Sequence, residues 1–474
     1  MTGQQSSTEI LTAIPAAPSV AKGRARPRFL ASLGTVLGGQ LACAAIALAT
    51  EICYARLLGP SGRGLVSLCM MAMGVGALAG GLGGEIPIVI WTADSTRKPS
   101  DWLPSVIFWG AIGSALASFL WAATYWLWHP PFLHGITSPL AALVLATIPV
   151  SVFSAYFTAM LTGHERFRLR AGLSAGTQLA ELIAVVALVL ILGRTAEIAI
   201  GAILFGLSIG AIATALVQWD TLRDIWKAVP AKTYLSKALS LGLRGQLGNV
   251  ATFFNYRLDV FIVNYYLDPA QVGLYAVGVV VSESLWQIPH AAATALFPRT
   301  ARTLDQGASE FTCRVLRLIL ALAIVSGIAM ALLSPLVIPL VFGAKFRPSV
   351  PVIWWILPGT IALSLAKVLS ADLAARGRPE FSSVFAFASL IVTVVLDLTL
   401  IPRMGIQGAA LASSAAYLLD TILLAIALKS LLKITWKSFL VPTQEEVAAY
   451  KQVWPRFKSM LRPAAAAASP GRIN

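Results

Sequence analysis

The sequence has few charged residues: Asp, Glu, Lys and Arg make up 12% of its 474 residues, well below the roughly 25% of soluble globular proteins. Acidic residues are the scarcest, with 21 Asp and Glu against 36 Lys and Arg. This composition excludes an ordinary soluble domain. The basic excess forms no basic cluster with interleaved aromatic residues, so we expect no nucleic-acid partner.

Histidine and cysteine are also scarce, with four residues of each. The cysteines show no CxxC spacing and no paired histidines, which excludes a disulfide framework and a zinc site. We expect no metal and no other cofactor. The sequence also lacks a GxxxxGK[ST] loop, and this absence disfavours a transporter that hydrolyses ATP itself.

Long apolar runs, in contrast, are abundant. Hydrophobic residues make up 57% of the chain, and the mean hydropathy is +0.77. Segments of about 20 residues, the length that crosses the hydrocarbon core of a bilayer, recur twelve times. We predict spans at 29–51, 65–91, 102–127, 139–161, 172–193, 198–219, 245–267, 273–297, 315–342, 350–374, 380–401 and 408–431. The predicted fold class is all-α: a polytopic membrane protein with twelve transmembrane helices.

The positions of Lys and Arg test this series of spans, because cytoplasmic loops carry most of the basic residues of a membrane protein. With both termini inside, the five inner loops hold sixteen Lys and Arg, counting Arg317 at the start of the ninth span, and the outer loops hold six. The six outer residues are Arg56, Arg63, Arg194, Lys345, Arg347 and Arg403. The asymmetry predicts that both termini are cytoplasmic.

The chain also repeats itself. LGPSGRGL at 58–65 matches LDPAQVGL at 267–274, and GAIL at 201 matches GAAL at 408, with nearly the same offset. Six spans return the chain to the same side, so these matches predict two six-helix lobes around a central cavity. The predicted organisation is a cytoplasmic N-terminal segment (1–28), an N-lobe (29–219), an amphipathic cytoplasmic linker (220–244), a C-lobe (245–431) and a cytoplasmic tail (432–474).

The seventh span is unusually polar for a membrane helix. It contains Gln246, Asn249, Asn255, Arg257, Asp259 and Asn264. A charge at the centre of a membrane helix costs roughly 3 kcal/mol, so these side chains are expected to face protein or water.

Helical geometry divides these residues into two faces. Gln246, Arg257 and Asn264 fall on one stripe, with Asn249 at its edge, whereas Asp259 lies on the opposite side. We predict that the stripe lines a cavity and binds substrate, while Asp259 packs against another helix. The alternative is a buried network of Arg257 and Asp259 that only locks helices together.

Further polar residues lie within other predicted spans. Lys367 would join Arg257 as a cationic wall and bind an anionic substrate. Asp259, Glu283 and Asp397 are candidates for binding a coupling proton or sodium ion, although structural pairing is the alternative for each. A wet cavity between the lobes would spare all these charges from facing lipid.

Four motifs together indicate a family. They are YARLLGPSGRGL after the first span, NYRLDVFIVNYYLDPAQVGLYAVG across spans seven and eight, ESLWQIPHAAATALFPR in span eight and IPRMGIQGAALASSAAY entering span twelve. Over about residues 28 to 432 the chain resembles bacterial polysaccharide and O-antigen flippases of the multidrug, oligosaccharidyl-lipid and polysaccharide exporter superfamily.

The resemblance implies a transporter and not an enzyme. It implies that an undecaprenyl-diphosphate-linked oligosaccharide crosses the bacterial inner membrane by alternating access, coupled to a proton or sodium gradient, for lipopolysaccharide or exopolysaccharide biosynthesis. The sugar would occupy the wet cavity and the prenyl tail would remain among membrane lipids. A polysaccharide polymerase and export machinery are expected as further partners.

Three alternatives remain open. A lipid II flippase resembles the chain, but that family usually carries two further C-terminal spans. A drug or ion antiporter of the same superfamily usually has an acidic cavity. A membrane-embedded polysaccharide polymerase or glycosyltransferase generally needs acidic residues in a large outer loop, whereas the predicted outer connection 128–138 is short and contains no Asp or Glu.

Overall fold

The computed structural model describes residues 26–223, 229–286, 289, 306–432 and 434–440, which are almost entirely helical. The predicted terminal segments, 1–28 and 432–474, lie almost wholly outside the described residues. The second half of predicted span eight and the centre of the predicted linker also lie outside them.

The N-terminal half folds into one group of helices. They are α1 (Arg26–Gly81), α2 (Glu85–Ala93), α3 (Pro99–Ala123), α4 (Ser138–Gly163), α5 (Phe167–Leu192), α6 (Ala196–Leu216) and α7 (Trp219–Arg223). Helix α1 packs against α3, α4 and α5, and α6 packs against α4 and α5. A π-helical turn (Thr124–Trp128) and a 3-10 turn (Pro131–Leu133) connect α3 to α4.

The C-terminal half forms a second group. Its helices are α8 (Lys232–Tyr266), α9 (Pro269–Glu283), α10 (Gln306–Val341), α11 (Ser349–Ala375), α12 (Glu380–Met404), α13 (Ile406–Leu432) and α14 (Trp436–Leu440). Helix α12 packs between α8 and α13, and α11 packs against α9, α10 and α13. The start of α9 is well specified, because Asp268 accepts a hydrogen bond from the Gln271 amide at 3.0 Å and Pro269 fixes the first helical residue.

Within the described residues, nine helical segments are long and apolar enough to cross a membrane. The first of them, Ala42–Gly81, contains parts of predicted spans one and two. Predicted span seven corresponds to α8, whose polar residues keep it out of this set, and predicted span eight continues beyond the described residues. The chain is thus an all-α multi-pass membrane protein, and the count of twelve spans stays a prediction.

The first two predicted spans are two helical segments that meet at a kink within α1. Gly59 at the kink departs from helical geometry, with φ at +71°, and the second segment runs from Pro60 to Gly81. A glycine suits this kink because a positive φ is unfavourable for residues with a Cβ atom. Arg63, a predicted outer-loop residue, lies in the first turn of the second segment, beside the connection between the two spans, and its side chain is only 3% exposed.

The two helix groups touch at what we call the outer end, the end that contains Gly59 and the start of α9. Gly64 of α1 and Gly273 of α9 hold equivalent positions in the two repeated motifs. A Cβ atom at Gly64 would lie 1.6 Å from the Pro269 carbonyl oxygen, and one at Gly273 would lie 2.0 Å from the Pro60 carbonyl oxygen. The two repeats therefore meet in a reciprocal backbone contact that only glycine permits.

Candidate functional site

A pocket of about 190 Å³ lies between α1, α8 and α9, below the outer contact. Its polar lining consists of Glu51, Arg63, Ser67, Arg257, Asp259 and Tyr275. We call it the central pocket. Because α1 belongs to the N-terminal group and α8 and α9 to the C-terminal group, both halves of the chain contribute charged side chains to it.

The C-terminal half contributes an arginine and glutamate pair. Arg257 Nη2 on α8 donates to Glu283 Oε2 at the end of α9, at 2.8 Å. The Arg257 side chain is 38% exposed and that of Glu283 is 14% exposed. Arg257 thus presents its guanidinium to the pocket while Glu283 balances its charge.

The N-terminal half contributes a second pair, between Arg63 and Glu51 of α1. Arg63 Nη2 lies 2.5 Å from Glu51 Oε2, and Arg63 Nη1 donates to the Ser67 hydroxyl. Arg63 Nε is buried and has no hydrogen-bond partner among the described residues. One donor of the guanidinium therefore remains for another acceptor.

The sequence reasoning missed Arg63 and the role of Glu51, because the glycines and proline of LGPSGRGL were interpreted as a loop. The available signal was the spacing of the two residues. Glu51 and Arg63 lie twelve residues apart on either side of Gly59, so a sharp bend there can bring their side chains together.

A second cavity of about 560 Å³ adjoins the central pocket, since Glu51 and Val280 line both. Lys367 of α11 reaches this cavity, together with Glu283 and Trp286. We call it the lysine cavity.

The Lys367 ammonium is held by aromatic side chains. Its Nζ atom donates to the Tyr256 hydroxyl at 3.0 Å and lies 5.1 Å from the centre of the Trp286 ring. Such cation–π contacts stabilise an ammonium without neutralising its charge. Lys367 therefore lies at the edge of the cavity with its Nζ atom beside the Tyr256 and Trp286 rings.

The C-terminal half also buries two carboxylates. Asp259 accepts hydrogen bonds from Tyr275 of α9 and from Ser413 of α13, the latter at 3.2 Å. Asp397 of α12 is fully buried, and neither of its carboxylate oxygens has a hydrogen-bond partner among the described residues.

The two carboxylates are neighbours. Thr393, one turn before Asp397, donates at 2.8 Å to Asn255, one turn before Asp259. Because α8 and α12 pack together, this bond brings the next turns of the two helices close, and the charges of Asp259 and Asp397 repel each other. Their surroundings offer hydroxyl, amide and carboxylate oxygens to a cation.

The remaining predicted substrate-binding residues line neither the central pocket nor the lysine cavity. Gln246 is buried and donates to the Leu78 carbonyl at 3.0 Å, and Asn264 is buried and donates to the Phe132 and His134 carbonyls at 3.0 and 2.9 Å. Both join α8 to the N-terminal half. Asn249 lies 3.4 Å from the Gln246 amide oxygen.

The walls of the cavities also differ from the predicted cationic surface. Arg63, Arg257 and Lys367 are present, but Glu51 and Glu283 balance both arginines. An anion that enters would compete with two carboxylates for two guanidinium groups. Such a site can bind and release a strongly charged anion reversibly.

Comparison with known families matches residues 53–351 to the family described as Polysaccharide biosynthesis protein. The chain is 22% identical over 195 residues to "Probable low-salt glycan biosynthesis flippase Agl15" of Haloferax volcanii, which covers 40% of this chain and 41% of that protein. It is 22% identical over 284 residues to a protein of Shigella flexneri assigned as an O-antigen transporter, which covers 60% of this chain and 68% of that protein. The chain thus spans less than half the length of the archaeal relative.

Two solved structures show a similar fold. Lipid II flippase MurJ in an inward closed conformation has a TM-score of 0.69 at 16% identity, over 85% of this chain and 88% of that one. An inward-facing multidrug resistance MATE family transporter of the MOP superfamily has a TM-score of 0.66 at 15% identity, over 85% and 98%. Since the matched family covers more than half of the sequence, the chain belongs to the polysaccharide biosynthesis protein family, and its fold is that of MOP superfamily membrane transporters.

Proposed function

We propose that the protein is a flippase that moves an undecaprenyl-diphosphate-linked oligosaccharide from the inner to the outer leaflet of the bacterial inner membrane. The observation that carries this proposal is the pairing of one arginine from each half of the chain, Arg63 and Arg257, with a glutamate at the same pocket. The names of both relatives, a glycan flippase and an O-antigen transporter, support the same substrate class.

A diphosphate matches this pocket chemically. Guanidinium groups bind phosphate oxygens through two parallel hydrogen bonds, which makes arginine well suited to such anions. In the empty protein Glu51 and Glu283 occupy those donors, and the incoming diphosphate takes their place. Lys367 then offers a third positive charge beside the pocket.

The same arrangement supports alternating access as the mode of transport. The central pocket is closed at the outer end by the contact of Gly64 with Gly273. Because the two glycines belong to different halves of the chain, separating the halves there would open the pocket to the outer leaflet. The prenyl tail would remain among membrane lipids throughout.

Ion coupling is assigned to the buried carboxylates. A proton or sodium ion between Asp259 and Asp397 would relieve their repulsion and use oxygen ligands already in place. Glu283 offers a second route, since a proton on its carboxylate would release Arg257 to the cargo. Both termini are cytoplasmic in this scheme, and a polysaccharide polymerase and export machinery receive the product.

The proposal is tested with purified protein in liposomes. Lipid-linked oligosaccharide extracted from a strain lacking this gene is placed in the inner leaflet, and its appearance outside is measured by accessibility to a sugar-oxidising reagent. We expect Arg257→Ala to abolish transport and Arg257→Lys to restore part of it. Normal transport by Arg257→Ala would remove this residue from the mechanism, and transport of lipid II alone would assign a different cargo.

A further inference from the structure

A third cavity, of about 660 Å³, lies between α2, α4, α5 and α6 of the N-terminal half. Its polar lining is Glu85, Ser151, Ser154, Thr158, Thr162 and Arg170. We call it the hydroxyl groove. Its volume lies within the about 300–1,000 Å³ range of small-molecule sites. None of the predicted site residues belongs to it.

The hydroxyls on α4 form a row along one helix face. Ser151, Ser154 and Thr158 are three and four residues apart, so their side chains point in the same direction. None of these three hydroxyls donates a hydrogen bond to a described residue.

Several hydroxyls elsewhere in the bundle bond within their own helix. Thr50, Thr177 and Ser208 each donate to the carbonyl four residues earlier, at 2.7 to 3.0 Å. Such bonds are a common way for serine and threonine to be satisfied within membrane helices. The hydroxyls of Ser151, Ser154 and Thr158 make no such bond and are available to a ligand in the groove.

The charges of the groove are balanced. Glu85 supplies one negative charge, and Arg170 supplies one positive charge, which is already engaged at 2.9 Å with the Thr162 hydroxyl. The groove as a whole therefore carries no net charge. A row of free hydroxyls with one carboxylate matches a neutral polyhydroxylated ligand, which both donates and accepts hydrogen bonds.

The groove also borders the interface between the two halves. Ile86 lines it, and a Cβ atom at Gly245 of α8 would lie 2.2 Å from the Ile86 Cδ1 atom. The groove therefore lies beside the contact between α2 and α8.

We propose that the hydroxyl groove binds the sugar portion of the cargo, separately from the diphosphate in the central pocket. This inference rests on the proposed flippase function and adds a saccharide subsite on α4. Ser151, Ser154 and Thr158 contact sugar hydroxyls, and Glu85 accepts from the same ring or from an amino group on it.

The test uses a variant that removes three hydroxyls and keeps side-chain volume: Ser151→Ala, Ser154→Ala and Thr158→Val together. Two probes are compared by native mass spectrometry of the protein in lipid nanodiscs. One is the lipid-linked oligosaccharide from the deletion strain, and the other is undecaprenyl diphosphate without sugar. The control is Thr147→Val on the same helix, because the Thr147 hydroxyl is buried and bonded to the Val144 carbonyl at 2.7 Å.

We expect the triple variant to bind the oligosaccharide probe at least tenfold more weakly, as the loss of several hydrogen bonds implies, and to bind undecaprenyl diphosphate like the wild type. The inference would be overturned if the triple variant bound the oligosaccharide probe as tightly as the wild type does. It would also be overturned if the triple variant lost affinity for both probes to the same extent. Loss of phospholipid adducts with unchanged oligosaccharide binding would overturn it in favour of a lipid site. If the wild type binds neither probe, the proposed function itself fails.

Discussion

Replacing Glu283 with glutamine should tighten the binding of a diphosphate lipid. Glu283 holds Arg257 at 2.8 Å and therefore competes with any anion for the same guanidinium. Glutamine keeps the shape of the side chain but removes the competing charge. The opposite substitution, Arg257→Gln, removes the donor itself and should weaken binding.

The size of the effect follows from the exposure of the pair. Exposed ion pairs contribute about 0–1 kcal/mol, and breaking a buried one costs about 3–5 kcal/mol. With Arg257 38% exposed and Glu283 14% exposed, an intermediate value of about 1–2 kcal/mol is appropriate, which corresponds to roughly tenfold in affinity.

The assay is titration of undecaprenyl diphosphate into purified protein in nanodiscs at two salt concentrations. Glu283→Gln should bind about tenfold more tightly than the wild type, and its affinity should fall more steeply with salt. The same variant should transport more slowly, because release of the anion becomes harder. If Glu283→Gln weakens binding as much as Arg257→Gln does, the ion pair is structural and Glu283 does not compete with the diphosphate for Arg257.

Three further predictions concern other parts of the site. Glu51→Gln should lower the unfolding free energy by about 3 kcal/mol, because Arg63 is then buried without its partner. Glu51→Leu combined with Arg63→Met should lower the unfolding free energy by less, because neither charge remains. Thermal unfolding in detergent measures both variants, and equal losses of unfolding free energy would contradict the pairing. Gly64→Ala should prevent closure of the outer end and abolish transport, since its Cβ atom would lie 1.6 Å from a carbonyl oxygen, while Gly172→Ala, with nothing within 4 Å of its Cβ atom, should leave transport unchanged. Opening is measured by labelling a cysteine introduced in place of Met70, which lines the central pocket, in a variant without the native cysteines, using a membrane-impermeant thiol reagent from outside. Normal closure of the Gly64→Ala variant would refute the gate. Asp397→Asn should make transport independent of imposed proton and sodium gradients, measured in liposomes, and full stimulation of this variant by either gradient would eliminate the carboxylate pair as the coupling site.

The sequence alone located part of this site. Arg257 could be found because a charge in the middle of an apolar helix must face protein or water, and Asp259 could be assigned to another helix because it lies on the opposite face of α8. Arg63 could not be found, since the Gly-Pro-Ser-Gly stretch before it has the composition of a loop, whereas it forms a kink between two helical segments.

The positions of Gln246 and Asn264 show a second limit of prediction from the sequence. Helical periodicity gives the direction of a side chain but not the neighbour that meets it. Both residues lie on the predicted stripe, yet the N-terminal half approaches α8 at the two ends of that stripe and accepts their hydrogen bonds. The middle of the stripe, around Arg257, borders the central pocket.

The glutamates of the two pairs resolve a difficulty that any carrier of a diphosphate faces. After the cargo leaves, the protein must return empty, and two unpaired arginines inside a membrane protein would carry a large desolvation cost on that return. Glu51 and Glu283 then pair again with the guanidinium groups of Arg63 and Arg257, so the positive charge of the empty pocket is neutralised without a bound anion. The same glutamates set an upper limit on affinity, since the cargo must displace them. A pocket with arginines alone would bind the diphosphate more tightly but would release it and reset more slowly, and this is why we expect the tightest-binding variants to be the poorest transporters.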